Sequence, residues 1–290
     1  MLTSKDVLGL GRAHAESESS SFLYGLIDHA GMPGLAKKFA QSPISWVSLL
    51  SGTDDKTTLP VAPLLFEIDS NANLHCRAVY EWIGQQGTYT STILFLASPL
   101  AIGPLSTRLA MRLDATLPED MDVMLRYFDP RIFEQLVKSF TAIQKQTFLS
   151  VATDWWFVDR RGDLQKVDAT FNETDNHVSP LIFSAAQEAE LIDASEPDQV
   201  ARIVESFVPD LYRAIPIQRR HDFVLRQMDD ARRINIQSSN DLAMHCMQAL
   251  LYGENFATSK NWASTLQQVQ SGKINLQQAV DLIETTTTKE

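Results

Sequence analysis

Met124-Leu125-Arg126-Tyr127-Phe128-Asp129-Pro130-Arg131-Ile132-Phe133 is the stretch on which the fold turns. Apolar and aromatic residues run up to Asp129-Pro130, and an amphipathic pattern follows. The spacing predicts a strand, Asp122 to Phe128, feeding a helix, Arg131 to Thr141. Proline suits the first helical position, because its missing N–H would be unpaired there in any case. Asp129 stands where a side chain caps a helix and meets the positive end of its dipole. Arg126 and Arg131 can each offer a planar fork of donors to a carboxylate. Two roles are open to this corner. Either Asp129 caps and one arginine locks the loop beside it, or Arg131 faces a partner's carboxylate or carbonyls.

Upstream, Phe22 to Ala30 is apolar and closed by Gly31 and Pro33, which predicts a buried strand. Further strands are expected at Trp46 to Leu50, closed by the turn residues Ser51-Gly52-Thr53-Asp54, at Pro63 to Ile68 and at Thr90 to Ala97. Leu35 to Gln41, Leu74 to Ile83 and Pro104 to Leu113 read as helices. Trp82 falls on the apolar side of the second, and Leu105, Leu109 and Leu113 form one stripe of the third. Downstream, Phe148 to Val158 and Leu164 to Ala169 read as a hairpin turned through Arg161-Gly162-Asp163. From about Ala185 helical periodicity takes over, as in Val200, Ile203, Val204, Phe207 and Leu211. The expected fold is α+β (mixed α/β). A sheet lobe flanked by helices spans 22–185 and carries the Arg-Tyr-Phe-Asp-Pro-Arg motif; an all-helical lobe spans 186–284. Residues 1–21 are expected to form a flexible N-terminus and 285–290 a loose tail.

The chain has 290 residues, 44% hydrophobic and 21% charged, which is ordinary for a globular protein with a proper core. A formal charge of −11 argues against binding nucleic acid phosphates or an anionic membrane. That charge is uneven. Residues 1–196 hold 15 basic and 25 acidic residues, giving −10, and residues 197–290 hold 10 and 11, giving −1. Two such surfaces suit a protein that holds two things at once. Only two cysteines occur, Cys76 and Cys246, so no disulfide framework is expected and a reducing cytoplasm is the simplest location. The start lacks a secretory pattern. The longest strongly apolar run, Ile93 to Ile102, is broken by Ser98 and Pro99 and falls far short of the roughly 20 residues that span a bilayer.

Motifs of catalysis are sparse. The nucleophile elbow, the phosphate-binding loop and the zincin helix do not occur, and Gly9-Leu10-Gly11 lacks the third glycine of a dinucleotide fingerprint. His75-Cys76 and His245-Cys246 carry zinc-ligand chemistry, but neighbours on a helix point about 100° apart and chelate poorly. His221-Asp222 sits among charges typical of a solvated helix face. From Arg213 to Arg233 six arginines form a mildly basic strip, either paired along exposed helix faces or turned toward an acidic cargo. Tryptophans are most often core residues, but the pair Trp155-Trp156 on the predicted hairpin also reads as an apolar contact site.

The corner resembles the signature of a bacterial family, the adaptor proteins (Tap, or Tec) that load toxic effectors onto the type VI secretion spike, originally catalogued as a domain of unknown function. The family's motif runs roughly Leu-Arg-Phe/Tyr-Tyr/Phe-Asp-Pro-Arg. Its opening strand ends near an Asp, matched by Tyr24 to Asp28. A Ser-Leu-Leu-x-Gly element is matched by Ser48 to Gly52, after Trp46, and an Ala-Pro-apolar strand by Ala62-Pro63-Leu64-Leu65. Trp82 and Ser98-Pro99-Leu100 follow in the same order, and the later helical lobe, with Ala231-Arg232-Arg233, is of the expected kind. The strongest match lies in residues 22–135.

The resemblance implies a cytoplasmic adaptor-chaperone that is not an enzyme and needs no cofactor or metal. It would bind the N-terminal region of an effector and help attach it to the VgrG spike, with no nucleic acid and no membrane insertion. An apolar groove between the lobes would shelter the cargo. Arg126, Asp129, Arg131, Trp155 and Trp156 are the expected partner-binding residues; Asp28, Trp46, Ser48, Pro63, Trp82 and Pro130 are the expected structural frame. Two other classes compete: a hydrolase or transferase with dispersed carboxylates such as Asp28 and Asp129, and an immunity protein that blocks a toxin.

Overall fold

A computed structural model of the chain describes residues 21–50, 61–69, 73–87 and 90–287. Most of the N-terminal segment, Gly9-Leu10-Gly11, the turn at Ser51 to Asp54 and the last three residues lie outside them. The chain forms two compact units, Met1–Leu191 and Ile192–Glu290, and its class is α+β.

The first unit is built on a six-stranded sheet: β1 (Phe22–Asp28), β2 (Trp46–Ser48), β3 (Pro63–Glu67), β4 (Ile93–Ser98), β7 (Asp154–Val158) and β8 (Leu164–Asp168). Their order is β2-β3-β1-β4-β7-β8, and every pairing is antiparallel. Strands β1 and β4 are apolar at nearly every position because the sheet is covered on both faces. Leu23, Ile27, Ile93 and Phe95 point to a core with α1 (Leu35–Ala40) and α2 (Leu74–Gly87). Tyr24, Leu26, Leu94 and Leu96 point to the other core, with α3 (Ile102–Met111), α4 (Pro130–Ser139) and α5 (Ala142–Leu149). The alternation of a strand is therefore present in direction but invisible in polarity. Gly25 is required in the middle of β1: it pairs with Phe66, and a Cβ there would stand 2.2 Å from that ring.

A second sheet of three strands has the order β6-β5-β9, with β5 (Asp114–Leu117), β6 (Met121–Met124) and β9 (Leu181–Ile182). It corrects two expectations. The strand expected to run to Phe128 ends at Met124, since Tyr127 and Phe128 both enter one core, which an alternating strand cannot arrange. Phe148 to Val158 is not one strand either. Thr141 and Gln144 form a capping box that starts α5, and extended backbone begins only at Asp154.

The second unit is helical: the rest of α6 (Ala185–Phe207), α7 (Pro209–Ala214), α8 (Ile217–Arg233), α9 (Ser239–Tyr252), α10 (Lys260–Gln270) and α11 (Leu276–Thr287). Val200, Val204, Phe223, Val224, Leu242, Cys246, Trp262 and Leu266 share its core. The division falls at Leu191 and not at residue 185. The first turns of α6 belong to the sheet unit, where Leu191 packs on the core and Gln187 donates to the Ser139 carbonyl at 3.0 Å. At the other end α11 runs to Thr287, so residues 285–287 of the expected loose tail are helical; Thr285 donates its hydroxyl to the Asp281 carbonyl at 2.7 Å.

Candidate functional site

Pro130 opens α4 and Asp129 caps it, accepting from the Arg131 N–H at 2.9 Å. The same carboxylate receives the Arg131 side chain, Nε at 3.0 Å and Nη2 at 2.6 Å. Arg126 crosses instead to the end of β1, where its Nη2 donates to Asp28 at 2.6 Å. Asp28 also accepts from the Ala30 N–H at 3.1 Å and so caps the 3₁₀ turn that follows the strand. Both carboxylates are buried, whereas the guanidinium side chains of Arg126 and Arg131 are 46% and 39% exposed.

Between them, Tyr127 donates its hydroxyl to the Leu109 carbonyl at 2.9 Å deep in the core. Phe128 packs edge-on to Tyr127, and the Arg126 guanidinium lies 5.7 Å from the Phe128 ring centre. Burial pushes the Tyr127 phenol far above its ordinary range, so it stays a neutral donor. The corner is thus a brace: two arginines neutralise two buried carboxylates while two aromatic rings anchor the loop beneath them.

The other expected residues distribute differently. Trp155 is fully buried and donates its indole N–H to the Leu149 carbonyl at 3.2 Å, so it has no surface to give a partner. Its neighbour on β7 points to the opposite face, as pleating requires: Trp156 packs against the other core with Lys166 over its ring at 6.0 Å. Trp46 tilts against Phe39 at 5.8 Å, Trp82 lies under Lys38 at 4.7 Å, Ser48 accepts from the Leu50 N–H at 3.2 Å, and Pro63 opens β3 opposite Asp28. Of the residues expected on a binding surface, only Arg126, Asp129 and Arg131 meet in one place.

A second polar centre escaped sequence reasoning. Arg112, just past α3, is fully buried and pairs with Asp175 through both Nη atoms, at 2.9 and 2.8 Å. Its remaining donors go to the carbonyls of Phe148 at 2.7 Å, Arg108 at 2.6 Å and Thr147 at 3.1 Å. Burial alone would raise the Asp175 carboxyl; the hydrogen bonds and charge of Arg112 reverse this and hold it below its ordinary value. Beside it, His177 stands edge-on to Phe148 at 5.7 Å. Burial, reinforced by the Arg112 charge, lowers its pKa to about 4. The available signal was an arginine in an apolar stripe, but its partner lies 63 residues on, in a segment without periodicity. A pocket of about 210 Å³ adjoins this centre, lined by Gln146, Thr147, Ser150, Thr170, Phe171, Asn172 and Asn176.

In the helical unit, most of the arginine strip pairs within the chain. Arg213 meets Glu205 at 3.0 Å, Arg226 meets Glu254 at 2.9 Å, Arg232 meets Glu196, and Arg220 donates to two carbonyls. Both cysteines are buried, and burial pushes the Cys246 thiol up to about 12. Among the described residues no group of three or more His, Cys, Asp or Glu side chains is placed to hold a metal ion, and no helix is long and apolar enough to cross a membrane.

Residues 23–147 match the model of a family described as a domain of unknown function (DUF4123). No curated protein and no solved structure matches the chain. The matched segment starts in β1 and ends in α5, and it contains Asp28, Arg126, Asp129 and Arg131.

Proposed function

We propose that this protein is a cytoplasmic adaptor that binds the N-terminal region of a type VI secretion effector and helps load it onto the VgrG spike, by non-covalent contact alone. The DUF4123 match carries the reading. It covers the stretch in which the adaptor-like motifs occur in order, and that domain is the one associated with such adaptors. The brace adds physical support. Asp28 and Asp129, the carboxylates on which a dispersed hydrolytic site would rest, are each taken up by an arginine and by backbone N–H groups. A general base needs a free lone pair within reach of its substrate.

Affinity-tagged protein co-expressed with the effector and the spike encoded beside its gene tests the proposal. Both partners are expected to be retained. Capture of a toxin's catalytic domain without the spike would instead indicate an immunity protein, and no preference over an unrelated effector would end the adaptor reading.

A further inference from the structure

Strand β6 is an edge of the small sheet and pairs with β5 alone. Leu125 donates its N–H to the Leu113 carbonyl at 2.6 Å, which sets the alternation of the ladder. Val123 and Met121 then exchange hydrogen bonds with Ala115 and Leu117, while the backbone groups of Asp122 and Met124 point away from the sheet. The far side of β5 obeys the same alternation: Thr116, opposite Asp122, turns its carbonyl outward and accepts from the Phe183 N–H at 3.0 Å. The N–H groups of Asp122 and Met124 have no such partner among the described residues.

The side chains along this edge are apolar and anionic together. Met124 is 47% exposed on the face it shares with Asp122, and Met121, on the opposite face, is 53% exposed. Asp114, Glu119, Asp120 and Asp122 are all exposed, and among the described residues none of the four makes a salt bridge. From Leu113 to Leu125 the sequence contains no Lys or Arg, and the preceding Arg112 is buried and spent on Asp175. Methionine adapts its shape to different apolar partners, so it suits a surface that receives another chain.

We propose that the outer edge of β6 is a docking strand for an extended cationic segment of a partner protein, which adds to the three-stranded sheet through the backbone of Asp122 and Met124. Lysine or arginine side chains of that segment would meet the four carboxylates, and its apolar residues would lie on Met124 on one face and on Met121 on the other. A second copy of this chain fits poorly, since edge-to-edge pairing would oppose carboxylates to carboxylates on a protein of charge −11. The inference deepens the adaptor reading by naming the chemistry of a contact, and rests on that reading for the identity of the partner.

Fluorescence anisotropy with a labelled peptide of alternating Lys and Val, against its Glu and Val counterpart, tests the edge. The cationic peptide is expected to bind the whole protein more weakly as salt rises, and the anionic one not to bind. Met124→Pro removes an outward N–H without touching the pairing to β5, and Asp122→Lys reverses a charge; each is expected to weaken binding about tenfold or more. If Met124→Pro fails to fold, Asp122→Lys decides alone. Equal binding by the native protein and Asp122→Lys, or no binding of the cationic peptide, would overturn the assignment. So would a concentration-dependent dimer that Asp122→Lys abolishes, because the occupant would then be a second copy. The two proposals fail separately: an effector captured undiminished by Asp122→Lys leaves the adaptor reading intact and removes the edge from it.

Discussion

Arg126 and Arg131 flank the same corner and each holds a buried carboxylate, but their reach differs. Arg126 joins Asp28 across 98 positions of sequence, whereas Arg131 folds back two positions onto its own helix cap. Removing Arg126 leaves a buried charge answered by one turn N–H, a loss expected to cost about 1–3 kcal/mol. Removing Arg131 leaves the backbone cap of Asp129 in place and deletes a half-exposed pair, so Arg131→Ala is expected to cost no more than about 1 kcal/mol. Urea unfolding of Arg126→Ala and Arg131→Ala compares them, and equal losses would contradict the larger role given to Arg126 in the brace. If Arg131 also contacts the effector, Arg131→Ala weakens capture of that partner while the thermal midpoint hardly moves. The sequence made the chemistry of this corner legible, including the cap and the proline, because caps depend on neighbours a few residues away.

At the scale of elements, Arg112 ties the end of α3 to α5 and to the segment that carries Asp175 and His177. Arg112→Met strands the Asp175 carboxylate and three carbonyls, and is expected to cost about 3–5 kcal/mol, as for other broken buried pairs. Arg112→Lys should recover little of this, because an ammonium cannot reproduce the planar fork. Amide exchange in 171–177 is the readout; protection unchanged in Arg112→Met would refute the tie.

Two buried histidines add a pH dependence to both units. Burial, with the Arg112 charge, lowers His177 to about 4, and burial lowers His245 to about 4 against the opposing pull of Asp230. The native state therefore refuses a proton that the unfolded chain accepts below its ordinary value of 6.5. Stability from these groups is fully present above pH 6.5 and falls as the pH drops from 6.5 toward 4, by about 3 kcal/mol for each ring. His245→Phe, which keeps a ring beside Phe256, should flatten that slope; an unaltered slope would mean that other groups carry it.

For the whole molecule, two units with separate cores predict that the helical part folds by itself. A fragment of residues 185–287 is expected to show a helical circular dichroism spectrum and a cooperative melt. A spectrum without a transition would mean that its core depends on the sheet unit. The edge of β6 belongs to this scale too, since β5 and β6, neighbours in sequence, become part of a three-stranded sheet only when β9, from far along the chain, pairs with β5.

The sequence by itself determined the class of fold, most helices, the central strands and the capped corner, because each depends on periodicity or on residues within one turn. Only the tertiary structure decided which side chains are spent internally. It buried Trp155 while its neighbour turned to the other core, paired Arg112 with Asp175 and Arg126 with Asp28, and left the outer edge of β6 open. Such choices depend on partners tens of residues apart, and a local pattern holds no information about which of two faces, or which distant charge, a side chain will meet.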